Sequence, residues 1–99
     1  MNKAIILSAA LVATTAHAGE VHETCSSLSE QAETVATMRY SGNYTMRELM
    51  GALDTDLGRA LVRDAYNLPD YATDDMQQRT ARQDGDDVYA QCYDHYSED

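Results

Sequence analysis

The stretch TMRELMGALDTDLGRALVRDAYNLP, residues 45–69, holds two helix starts and one helix stop, and its reading decides the fold class. Thr45 and Glu48 have capping-box spacing, in which each side chain satisfies a backbone N–H that the first helical turn leaves open. Met46, Leu49, Met50 and Leu53 follow at i, i+3, i+4 and i+7, one face of a helix. The acids and hydroxyl of "DTD" at 54–56 offer a second cap, and Leu57, Leu61, Val62, Ala65 and Leu68 form a second apolar face. Pro69 ends it, because the residue before a proline is pushed out of helical geometry. Nothing here alternates with period two, so the stretch predicts helix on helix.

The same pattern extends in both directions. Cys25, Leu28, Ala32, Val35 and Met38 recur at three- and four-residue intervals and predict a helix over about 24–40, after a polar lead-in at 19–23. "SGNY" stops it, with Gly42 suited to the left-handed position past a helix end. Toward the C-terminus, Thr73 caps a last helix with Asp74 and Asp75 in its first turn, where they complement the helix dipole. Ala81, Gly85, Val88, Cys92 and Tyr96 keep helical phase through it. "DGDD" at 84–87 is the weak point, where a bend or break is expected. The fold class is therefore all-α: a compact four-helix domain.

Residues 1–18 have a different character. A basic start, "MNK", precedes the apolar run "AIILSAALVA" and a small-residue tail with Ala16 and Ala18 in the A-x-A positions of signal-peptidase sites. The expectation is a signal peptide at 1–18, cleaved before Gly19, and a single helical domain at 19–99. The apolar run is about half the ~20 residues that span a bilayer, so no membrane span is expected. Export leads to a periplasmic or secreted location, where thiols are oxidised. Cys25 and Cys92 are the only cysteines, and an intramolecular disulfide between them would join the first and last helices.

That staple matters because the core stock is thin. After residue 18 the chain has no Ile, Phe or Trp. Small domains of this kind gain much of their stability from a covalent link. Charge is equally lopsided: all seventeen Asp and Glu follow residue 18, as do six Arg but no Lys, which gives six minus seventeen, or −11, with His neutral. Such a field argues against nucleic acid and anionic membranes as partners. It attracts basic ones.

Several constellations carry candidate chemistry. His22, Cys25, Cys92 and His95 could supply tetrahedral zinc, although familiar zinc modules hold their ligands in short loops where thiols stay reduced. "DTDLG" fails the calcium-loop pattern, with Gly58 one place early and no Glu at the right distance, and together with "DGDD" reads as capping and turn chemistry. No histidine sits in a nucleophile motif, and neighbouring acids such as Asp86 and Asp87 diverge on a helix, so no catalytic residues, no enzyme and no cofactor are expected. Tyr89, Tyr93 and Tyr96 would cluster on the last helix, and with Asp86 and Asp87 they are the candidate partner-binding residues.

The segments "CSSL" at 25–28, "RYSG" at 39–42, "AYNLP" at 65–69 and "AQCY" at 90–93 resemble, in order and spacing, small exported helical single-disulfide proteins of proteobacteria and their phages, whose function is unknown. The likeness spans about residues 25–93. Gly85 departs from the aromatic residue such chains carry there. In outline the chain is also similar to periplasmic acid-stress chaperones with one disulfide and to helical immunity proteins. The expected function is a non-enzymatic periplasmic interaction protein that binds an unidentified, basic protein partner as an inhibitor or immunity factor. The alternatives are an acid-activated periplasmic chaperone and a metal-binding protein using the His/Cys quartet.

Overall fold

Four helices follow the predicted order in the computed structural model, which describes the backbone of residues 10–97 and the side chains of 19–96. They are α1 (Ala10–Ser41), α2 (Met46–Ala52), α3 (Asp56–Tyr66) and α4 (Asp74–Ser97), with no strand among the described residues. The caps are those the sequence names. Glu48 N–H donates to Thr45 Oγ1 (3.1 Å) while Thr45 N–H donates to Glu48 Oε1 (2.9 Å), closing the capping box of α2. Gly58 N–H donates to Thr55 Oγ1 at the start of α3, and Met76 N–H to Thr73 Oγ1 at the start of α4. Gly42, at φ 77°, turns the chain past α1 in the backbone region that a Cβ disfavours.

Three boundaries differ from expectation. The expected lead-in at 19–23 is helical, because Val21 is in phase with Cys25 and Leu28 and is buried against the cysteine pair. Of the expected signal peptide, residues 1–9 and the side chains of 10–18 lie outside the described residues. The third helix stops at Tyr66, capped by Asn67, and Leu68 reaches the core from just beyond it. "DGDD" is uninterrupted helix and not a turn.

The reason for that continuity is a close approach. Helices α1 and α4 run antiparallel as the main packing pair, with α3 against α1 and α2 against α3. At their crossing Ser29 Oγ donates to the carbonyl of Gly85 at 2.7 Å. A Cβ at Gly85 would lie 2.8 Å from the Ser29 carbonyl oxygen. Glycine here admits a neighbouring backbone; it does not break the helix. An aromatic side chain could not occupy this position in this packing.

Between α1 and its neighbours the interior is made largely of alanine and valine with two leucines. One cluster joins Val35, Ala36, Leu49, Val62, Ala65 and Ala81; a second centres on Ala32, Leu61 and Val88; a third is Val21 with Cys25 and Cys92. The largest side chains with essentially no exposure are Val62 and Cys25. The cysteines are joined, with Cα atoms 5.6 Å apart and a separation of 67 in sequence. Closing a loop of that length is worth about 4 kcal/mol in the chain-entropy account.

The linker from α3 to α4 is fastened by Arg39. Its guanidinium lies over Tyr40 at 4.6 Å, donates to the Leu68 carbonyl at 3.1 Å and pairs with Asp70 at 2.6 Å. Tyr40 Oη donates to the Pro69 carbonyl, and Tyr66 Oη to that of Tyr44. Two of the seven tyrosines thus tie loops to the bundle.

Replacing Gly85 tests the crossing. Gly85→Ala gains up to about 1 kcal/mol of helix propensity, but the intruding methyl meets backbone and costs about 1–3 kcal/mol of overpacking. We expect a lower thermal midpoint by circular dichroism. An unchanged or raised midpoint would mean that the two helices are not held this close.

Candidate functional site

Each candidate residue acquires a definite place. Cys25 and Cys92 form the disulfide and leave no free cysteine among the described residues. His22 Nδ1 is 2.8 Å from Tyr89 Oη, and the two rings meet edge to face. His95 stands instead against Tyr96, with ring centroids 5.2 Å apart. The His/Cys quartet is therefore not assembled: its sulfurs bond each other and its imidazoles serve two different aromatic contacts. No group of three or more His, Cys, Asp or Glu among the described residues is arranged to hold a metal ion.

The tyrosine trio divides. Tyr89 and Tyr93 stack at 5.9 Å beside His22. Tyr96 lines a groove of about 760 Å³ that Tyr89 and Tyr93 do not enter. Asp86 and Asp87 are exposed on α4, outside the groove. Two surfaces thus stand where one was expected.

The groove is the feature sequence reasoning missed. Helix α1 forms one wall through Glu23, Ser27 and Gln31, and α3 the other through Leu57, Leu61 and Asp64; α4 closes the end with Val88 and Tyr96. Leu57 belongs by phase to the apolar face of α3, so a buried position was expected, yet it is 54% exposed. It lies in the first turn of α3, where no described element lies over it. A second hollow of about 400 Å³, lined by Met38, Leu49 and Leu53, continues along α1 and shares Ser27, Gln31 and Leu61 with the first. Together they make one trough between α1 and the α2–α3 pair. A residue in core phase at a helix start, with no partner predicted to cover it, was the available signal.

Electrostatics single out another residue, Asp84. Its carboxyl is pushed up to about 6, first by burial and then by the neighbouring charges of Asp64 and Asp87. The signal lay in its spacing, since Asp84 falls among Ala81, Gly85 and Val88 on the packed side of α4. Folding consequently takes up a proton between the ordinary aspartate range near 3.8 and about 6. The stabilisation from the protonated form is complete below 3.8 and is lost as pH rises through about 6.

Neither a family model, a curated protein nor a solved structure matches the chain.

Asp84→Asn removes the ionised form without changing shape. Because the carboxyl is partly open to water, the gain at pH 7 is discounted to about 1–2 kcal/mol. We expect a higher thermal midpoint than wild type at pH 7, and no advantage near pH 3.5, below the folded and the ordinary values alike. An equal advantage at both pH values would show that the effect does not come from titration of Asp84.

Proposed function

We propose that the chain is exported, loses residues 1–18, and acts in the periplasm or beyond it as a non-enzymatic protein that binds a basic protein partner as an inhibitor or immunity factor. The observation that carries this reading is an unneutralised acidic surface on a stapled scaffold. Seventeen carboxylates follow residue 18, and among the described residues ion pairs hold only Asp70 and Asp75. A field of this sign speeds encounter with cationic proteins and weakens as salt is added.

Other findings agree with parts of the proposal. The joined cysteines suit an oxidising compartment. No described helix is long and apolar enough to cross a membrane. The non-enzymatic element rests on the sequence, which has no nucleophile motif, and on the disulfide, which leaves neither sulfur as a thiolate. The likeness to small exported single-disulfide proteins belongs to the same proposal and adds no residue role. Acid-driven loosening gains nothing from Asp84, whose protonation favours the folded state between pH 3.8 and about 6.

Expression of the full chain in its host, followed by affinity capture from the envelope fraction, tests the reading. The recovered protein should begin at Gly19 and carry a partner of basic composition that is released as salt rises. Recovery of no partner at low salt, or of a chain that keeps residues 1–18 in the cytoplasm, would overturn it.

A further inference from the structure

We infer that the trough between α1 and α3 is the docking site for a cationic amphipathic helix of the partner protein. This rests on the interaction reading above and gives it a location and a chemistry. The floor is apolar, formed by Leu28, Leu61 and Val88, and Leu57 stands half-open on its wall. Along the trough the charged side chains are Glu23, Glu30 and Asp64, and none of the described residues lining either hollow is Lys or Arg. The six arginines of the folded part all lie elsewhere, with Arg39 and Arg79 in ion pairs and Arg59 bonded to the Met50 carbonyl. An apolar strip whose acidic border of Glu23, Glu30 and Asp64 faces no Lys or Arg, with His95 at one end and neutral Ser27, Gln31 and Gln91 between, complements a helix with leucine-like residues on one face and Lys or Arg beside them.

Dimensions agree. From Glu23 to Met38, the extent of α1 that lines the trough, a helix rises about 22 Å at 1.5 Å per residue, room for about four turns of an added helix. Such a helix would lie over Leu57, the exposed member of an α3 face whose Leu61, Val62 and Ala65 are already buried. Charge disfavours a second copy of this chain as occupant, because each copy carries −11 after residue 18 and no Lys there.

The test uses a synthetic amphipathic helix of roughly 15 residues, built from Leu and Lys, titrated into labelled protein and followed by amide chemical shifts. A Leu/Glu peptide of the same pattern is the control. We expect shifts centred on Gln31, Leu57, Leu61 and Gln91, with no response to the Leu/Glu peptide. Leu57→Arg should weaken binding by about tenfold or more, whereas Tyr93→Arg, on the other exposed face of α4, should change it little. The pair Glu23→Gln with Asp64→Asn removes charge while leaving the apolar floor, and should weaken binding at low salt and much less at high salt. Shifts that centre on Asp86, Asp87 and Tyr93, or equal weakening by Leu57→Arg and Tyr93→Arg, would overturn the assignment. If the partner captured from the envelope binds Leu57→Arg as well as wild type, the groove assignment fails while the interaction reading survives; if wild type captures nothing, the interaction reading is what fails.

Discussion

The bond between Cys25 and Cys92 is the constraint on which the remaining structure depends. It holds α1 against α4 in one register, which the small-residue contacts along that pair do little to select by themselves. Gly85 can receive Ser29, and Val21 can shelter against the sulfurs, because the two helices are tied at the adjoining end. The interior supplies little else to choose between alignments. Its fully covered side chains are three alanines, one valine and one cysteine, and alanine packs almost equally well at neighbouring positions. A contribution of about 4 kcal/mol is a large fraction of the 5–15 kcal/mol typical of small domains.

Much of the fold was legible because the local signals here have one chemical meaning each. Thr45 with Glu48, Thr55 before Leu57, Thr73 before the paired aspartates and Gly42 after Ser41 all act within one helical turn, and each does what its spacing announces. The disulfide was legible by arithmetic, there being only two cysteines. Gly85 was not, since a glycine that loosens a helix and one that admits a neighbour look alike until the neighbour is placed. The start of α1 was hidden for a related reason: His22 and Glu23 look like surface lead-in, and only the burial of Val21 explains why the helix runs through them.

The candidate site was legible in composition but not in location. Acid excess and tyrosine content were plain, and they directed attention to the exposed side of α4. The trough lies elsewhere because periodicity predicts which residues share a face without saying whether anything covers it. Leu57 is the case in point, in phase with Leu61 and Ala65 but left open. Asp84 has the opposite history, a charge inside the packed stripe whose cost comes first from burial and then from Asp64 of another helix and from Asp87.

Equilibrium unfolding of the oxidised chain beside the Cys25→Ser, Cys92→Ser pair, followed by far-ultraviolet circular dichroism, measures what the bridge contributes. Loss of the bridge should remove about 4 kcal/mol and leave the chain partly or wholly unfolded at physiological temperature. An unfolding midpoint that does not change would show that the four helices hold themselves together and that the sulfur link is incidental to the fold.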